Sequence, residues 1–369
     1  MMVCTRTVWL VFALLVAGCA GRPPALLTPI AETPDGAAQV DVLAISTRAQ
    51  SDLEGEIYSG ERGQGLSAHV VNVSIPPSHE LGAVEWPSSK NPKPAKEFAA
   101  ISVVPAEPDE AWAWFDSQES AGRLLIFVHG YRVRFADAVF RLSQIVHDSG
   151  IKAAPVLFTW PSRGELLSYF YDRESANFSR DALELVIAEA VARDSVSEIV
   201  ILAHSMGSWL TMEALRQTSI RNGALSPKIR DVILASPDLD LDVFDQQMTA
   251  IGEKRPHFSF IVSSDDRALG ISKLLAGGRH RLGAINPLEE PHKSRIEEAK
   301  DITVVDLSNL DSTSGSSHSR FAESKDAVTL MGATLNDAKR ETQTPPSLIS
   351  QHAGSVIMSL GAGIAQIGK

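Results

Sequence analysis

Ser205 lies in the run Ile199-Val200-Ile201-Leu202-Ala203-His204-Ser205-Met206-Gly207-Ser208-Trp209-Leu210, where an apolar, β-branched stretch gives way at once to helix-forming sequence. Small residues two before and two after the serine suit a sharp strand-to-helix turn, the layout of a nucleophile elbow. The usual pattern is Gly-x-Ser-x-Gly; here Ala203 takes the first glycine position. A serine hydroxyl is a weak nucleophile at neutral pH until a histidine takes its proton. That histidine needs a carboxylate to fix its tautomer and stabilise its cationic form. A serine at this place also suits a plain helix N-cap, so the residues around it decide.

Three aspartates are placed to supply the acid. Asp266, in Ser264-Asp265-Asp266-Arg267-Ala268-Leu269, is the first expectation, and Asp238, in Ser236-Pro237-Asp238-Leu239-Asp240, the second, with Asp265 third. Each also fits a turn or cap. The expected base is His318, in the polar run Ser316-Ser317-His318-Ser319-Arg320-Phe321; His292 precedes a strand and His352 lies in the tail, so both rank below it. A tetrahedral oxyanion needs preorganised donors. The backbone amides of Met206 and Tyr131 are the candidates, the latter following His129-Gly130. His129 and His204 flank this region and are expected to shape it; strand alternation points His204 away from Ser205.

These residues need elements that hold them at one end of a sheet. Val40 to Thr47, His69 to Ile75 and Phe98 to Val104 read as strands with no helix between them, hence an antiparallel edge. From Leu124 the rhythm becomes strand, loop, helix. Leu124 to Val128, Pro155 to Thr159, Ile199 to Ala203, Asp231 to Ala235, Phe258 to Val262 and Ile302 to Val305 are short apolar strands; Phe135 to Asp148, Ser175 to Arg193 and Ser205 to Gln217 have helical periodicity. Such alternation implies a mostly parallel sheet covered by helices on both faces, with ligands beyond the carboxyl ends of the strands. Taken at those ends in chain order, a serine, then acids, then a histidine follow the order of an α/β-hydrolase triad, with Asp266 after the seventh strand of that count.

The blocks Val128-His129-Gly130-Tyr131, Leu157-Phe158-Thr159-Trp160-Pro161-Ser162-Arg163-Gly164, Tyr171-Asp172-Arg173-Glu174-Ser175-Ala176 and Leu202-Ala203-His204-Ser205-Met206-Gly207 resemble, in this order, the bacterial α/β-hydrolase family of unknown function DUF900. Ala235-Ser236-Pro237-Asp238, Ser263 to Leu269 and Ser317-His318 continue the pattern, so the resemblance covers roughly residues 40 to 320. Pro76-Pro77 and His79 fit it as well, without a chemical role. The resemblance implies an α/β-hydrolase fold and an esterase- or lipase-like site, and says little about substrate.

The ends of the chain read differently. Arg6, the apolar run Val8 to Val16 and Val16-Ala17-Gly18-Cys19 resemble a bacterial lipoprotein signal. This implies cleavage before Cys19, acylation of that cysteine, and attachment to the envelope, with Ala20 pointing to the outer membrane facing the periplasm. The expected organisation is a signal over 1–18, a Pro-rich tether over 19–39, one hydrolase domain over 40–340 and a tail over 341–369, frayed or a surface helix. With Cys4 and Cys19 the only cysteines, the mature domain has no disulfide, cysteine nucleophile or cysteine metal site.

The net charge of −11, with no run of Lys and Arg, argues against a nucleic-acid partner. No His-Glu-x-x-His, phosphate-binding Gly-rich loop or dinucleotide fingerprint is present, so no cofactor and no metal is expected. Gly60, Gly63 and Gly65 read as a flexible loop. Trp160, Tyr169, Phe170 and Tyr171 line an acyl pocket or pack the core; Arg163 and Arg173 bind an anionic substrate group or pair with nearby acids. The sum of these readings is a lipid-anchored serine hydrolase acting on a small-molecule or lipid ester. The alternative is a catalytically silent envelope binding module of the same fold.

Overall fold

The computed structural model describes residues 26–298, 302–308, 310, 316–336 and 357–360. The proposed signal, Cys19 and most of the tail lie outside them. Among the described residues, ten strands form one sheet: β1 (Ala38–Gln50), β2 (Tyr58–Ile75), β3 (Ala99–Pro105), β4 (Arg123–Val128), β5 (Ala154–Thr159), β6 (Glu198–His204), β7 (Ile229–Ala235), β8 (His257–Val262), β9 (Ile302–Asp306) and β10 (Ile357–Leu360). Their order is β10-β9-β8-β7-β6-β4-β5-β1-β2-β3. Strands β4 to β9 are parallel, and β1 joins β5 in parallel before turning antiparallel into β2 and β3. The antiparallel N-terminal edge is as expected.

Helices cover both faces: α1 (Pro108–Ser117), α2 (Phe135–Ser149), α3 (Tyr169–Phe178), α4 (Arg180–Ala192), α5 (Met206–Asn222), α6 (Leu241–Ile251), α7 (Arg267–Leu275), α8 (His292–Glu298), α9 (Arg320–Glu323) and α10 (Lys325–Asn336). Alternation within each central strand divides the core. Leu124, Ile126, Val128, Ile199, Ile201 and Ala203 face one side with Leu183, Ile187 and Leu210 of α4 and α5. Leu125, Phe127, Val200 and Leu202 face the other, against Phe140, Leu142 and Ile145 of α2 and Phe321 of α9. Each fully buried aliphatic side chain contributes about 1.5–3 kcal/mol of transfer free energy, so the two apolar faces fix the register of the strands that carry the site.

Several boundaries differ from the sequence reading. The single helix expected from Ser175 to Arg193 is two, α3 and α4, and the first begins earlier, at Tyr169. They meet at Ser179, whose hydroxyl turns back to the Ser175 carbonyl at 2.9 Å and meets Thr47 Oγ1 at 2.8 Å. This is the local competition with helix bonding that serine favours. Part of the segment expected as a tether is held against the domain. Leu27 is buried, its N–H donates to Gly55 O (2.8 Å), and Ile30 N–H donates to Ala100 O (2.9 Å). In the tail, residues 357–360 form a strand on β9 rather than a helix, and that pairing covers an otherwise open sheet edge.

Candidate active site

Ser205 follows β6 and precedes α5 with φ 53° and ψ −121°, a backbone that an L-residue adopts only at a cost of about 1–3 kcal/mol. Neighbouring strand ends hold it there. Ser205 N–H donates to Ala235 O (2.9 Å), and Ser205 O accepts from Ser208 N–H (3.0 Å) and Asp238 N–H (3.2 Å). Ser236 at the end of β7 and Arg132 after β4 also take positive φ, at 44° and 61°. Strained residues thus gather at the carboxyl ends of β4, β6 and β7. Two glycines permit this packing. A Cβ on Gly207 would lie 2.4 Å from His129 O, and one on Gly130 2.9 Å from Ser205 Cβ. The turn His129-Gly130-Tyr131 is therefore in direct contact with the serine. The Met206 amide opens α5, where no intrahelical acceptor exists for it.

Asp266 caps α7. Its Oδ1 accepts from Ala268 N–H (3.0 Å) and Leu269 N–H (3.1 Å), which leaves Oδ2 for His318 Nδ1 at 2.7 Å. The carboxylate is fully buried and the His318 ring about one-fifth exposed. With Nδ1–H donated to Asp266, Nε2 of His318 carries the free lone pair. The His318 carbonyl accepts from His204 Nε2 at 3.2 Å, and the two rings stand 4.8 Å apart. Burial and the adjacent His318 push His204 well below the usual histidine range, so it is a neutral support. Its ring packs on His318 and Phe321.

The two alternative acids are engaged elsewhere. Asp238 accepts from Ser272 Oγ (2.5 Å) and Tyr169 Oη (2.9 Å) and pairs with the buried Arg281 at 3.2 Å. Asp265 is held bidentate by Arg320, at 2.5 and 2.8 Å. Neither of them meets His318. Of the weaker histidines, His292 opens α8 and His352 lies outside the described residues.

Beneath the His129 turn is a buried polar cluster that sequence reasoning missed. Arg48 is fully buried, and its guanidinium donates to Thr159 Oγ1 (2.8 Å), Ser59 O (3.2 Å), Ser162 O (2.9 Å) and Val133 O (2.8 Å). Desolvation lowers its pKa to about 10. His129 Nε2 accepts from Trp160 N–H (3.2 Å), leaving Nδ1–H to bond Gly130 O (2.9 Å). Burial first, then Arg48, keeps this ring well below the usual histidine range and hence neutral. Asp172 gathers Ser162 Oγ (2.5 Å), Arg132 N–H (3.1 Å) and Arg163 N–H (3.1 Å). It thereby ties the loop after β4 to the loop after β5. Burial raises the Asp172 carboxyl pKa, against the pull of these bonds.

The residues considered for an acyl pocket separate. Trp160 is core, stacked on His129 at 5.0 Å, and Tyr169 is committed to Asp238. Tyr171 bonds Gly60 O (3.1 Å) and Glu61 (3.0 Å). Arg163 pairs with Glu61 at 2.8 Å and Arg173 lies over Trp209. Gly60 and Gly63 are not a flexible loop but part of β2. A Cβ there would meet Arg163 Cα at 2.7 Å and Arg48 O at 2.5 Å. Leu166 and Leu167 before α3, Phe170 on α3, and Ile271 and Leu274 on α7 are exposed, Leu167 at 94%. The Tyr169 hydroxyl joins the two groups, 2.9 Å from Ser272 Oγ.

The family model described as an α/β hydrolase of unknown function (DUF900) matches residues 107–334. An uncharacterized protein of Nostoc sp. is 29% identical over 138 residues, covering 31% of this chain and 35% of that protein. The chain thus spans about a third of the length of the curated relative it matches. Among solved structures, a lipase-esterase related protein from Clostridium acetobutylicum is 12% identical over 59% of this chain and 96% of its own, with a TM-score of 0.33. Another solved structure, described as that of a cell surface hydrolase from Lactobacillus plantarum, is 11% identical over 63% of this chain and 96% of its own, with a TM-score of 0.38. At such scores neither structure bears on what this chain acts upon.

Proposed function

The chain belongs to the α/β-hydrolase family of unknown function DUF900, and from that premise we propose that it is a serine hydrolase cleaving carboxylic esters. The observation that carries the reading is the Asp266–His318 pair at 2.7 Å, whose histidine also accepts, through its carbonyl, from His204, the residue before the strained Ser205. In this reading His318 Nε2 takes the proton of Ser205 Oγ as the oxygen attacks the ester carbonyl. The Met206 and Tyr131 amides hold the oxyanion. Collapse of the tetrahedral intermediate expels the alcohol, which leaves with the proton from His318. Water then enters, gives its proton to His318, and releases the acid from the acyl-enzyme. The exposed apolar side chains on α7, on α3 and just before it support an acyl or lipid ester over a charged one.

Steady-state hydrolysis of a graded series of p-nitrophenyl acyl esters tests this. Saturable turnover by the wild type, lost in Ser205→Ala, is expected; equal rates for the two overturn it and leave the binding module. The envelope anchor is part of the same proposal. It rests on the run before Cys19, and incorporation of labelled palmitate that disappears in Cys19→Ala is the expected result.

A further inference from the structure

Four side chains that ester hydrolysis does not use meet where the connection between β2 and β3 crosses the last turn of α2. The His79 ring lies between two carboxylates, Nδ1 2.8 Å from Glu85 Oε2 and Nε2 2.7 Å from Asp148 Oδ1. His147 stands beside them, its ring centroid 5.4 Å from that of His79. One donor atom each from His79, His147 and Asp148 lie within 4.8 Å of one another.

Two carboxylates and two imidazoles are gathered here. The Asp148 side chain is 1% exposed and sits in the final turn of a helix, where the carbonyl ends disfavour an anion. Glu85 adds a second negative charge. A divalent ion with two neutral imidazoles cancels both carboxylates.

We propose that His79 Nε2, His147 and Asp148 Oδ1 form a binding site for a divalent transition-metal ion of the zinc type. Two imidazoles and a carboxylate make the borderline donor set that such ions take, with a fourth position open to water. The outer contacts are already those of a metal site. Glu85 receives Nδ1–H and so directs the Nε2 lone pair of His79 inward. Asp148 Oδ2 accepts from Gly82 N–H (2.8 Å) and Gln144 Nε2 (2.6 Å), which reserves Oδ1. Ligands at about 2.0–2.1 Å from a tetrahedral ion stand about 3.4 Å apart. Nε2 and Oδ1 therefore separate slightly, and the exposed His147 ring closes from outside. Gln144 Nε2 also donates to Ala322 O at 3.0 Å, in the helix that follows His318. The ion thus braces that helix without touching the reacting atoms. Spacing along the chain hid the site, because His79 and Asp148 are 69 residues apart.

The test is zinc titration of the tag-free, chelator-stripped chain against a chromophoric competitor, with the visible bands of bound cobalt(II) and the melting temperature read alongside. One equivalent of zinc, tetrahedral cobalt bands and a raised melting temperature are expected. His147→Ala removes an exposed ring with no hydrogen bond among the described residues, so the metal-free variant should melt like metal-free wild type. Its zinc affinity should fall at least tenfold, and Glu85→Gln should weaken binding about 10-fold or more, as loss of an outer partner does. A chain that yields all zinc to the competitor overturns the proposal. So does a folded His147→Ala variant that binds like wild type.

Discussion

Exchanging Asp266 for asparagine separates the two jobs its carboxylate does. Oδ1 caps α7 through Ala268 and Leu269, and asparagine caps a helix about as well as aspartate, so the fold should survive. The position of Oδ2, 2.7 Å from His318 Nδ1, would be taken by an amide NH2. It must then meet a lone pair on Nδ1, which moves the ring proton to Nε2, where it can no longer accept from Ser205. The wrong tautomer costs on the order of 10⁴-fold in kcat, about 5.4 kcal/mol of transition-state stabilisation. Asp238→Asn should show the opposite profile. It leaves the buried Arg281 without its counter-charge, 3.2 Å away, and breaking a buried pair from one side costs about 3–5 kcal/mol of stability. Activity per folded molecule should fall far less. Ester turnover and urea melts on both variants, with the folded fraction measured, decide between the acids. Near-wild-type kcat in Asp266→Asn, or a larger kcat loss in folded Asp238→Asn, refutes the reasoning.

Two further outcomes follow from the same geometry. Gly130→Ala puts a methyl 2.9 Å from Ser205 Cβ and 3.0 Å from His204 Nδ1; displacing the oxyanion turn by about 1 Å should cost roughly 100-fold in kcat, and unchanged turnover would contradict the packing. His129 is neutral when folded, its pKa depressed by burial and Arg48, so its contribution is present above about pH 6.5 and lost as pH falls below that value. The stability difference between wild type and His129→Gln should shrink by about 1.4 kcal/mol per pH unit there; denaturant melts giving a constant difference from neutral to acidic pH would contradict it.

The placing of Ser205, Asp266 and His318 past strand ends is legible in the sequence, because strand ends on a parallel sheet converge. Chain order along such a sheet is therefore nearly a map of the site, provided that the apolar strands are found. In the sequence, the ranking of Asp266 over Asp238 and Asp265 rests on strand count and loop context alone. All three sit in turn-forming sequence, and only side-chain partners distant along the chain, Arg281, Arg320 and His318, distinguish them. Arg48 and Asp172 left no signal either. A buried arginine looks like any exposed one until Thr159, Ser162 and Val133 are brought round it. Gly60 and Gly63 misled for a related reason: their meaning lies in Arg163 and Arg48, whose backbones approach too closely for a side chain. The break between α3 and α4 depends on one serine hydroxyl turning back on its own helix, below what periodicity resolves.

The central claim is that Ser205 is an activated nucleophile. Treating the folded protein with a fluorophosphonate probe and mapping the adduct by mass spectrometry tests it most directly. One adduct on Ser205, abolished in Ser205→Ala and strongly slowed in His318→Ala, is the result predicted. A folded, unlabelled protein, or labelling that His318→Ala leaves at the wild-type rate, would contradict it.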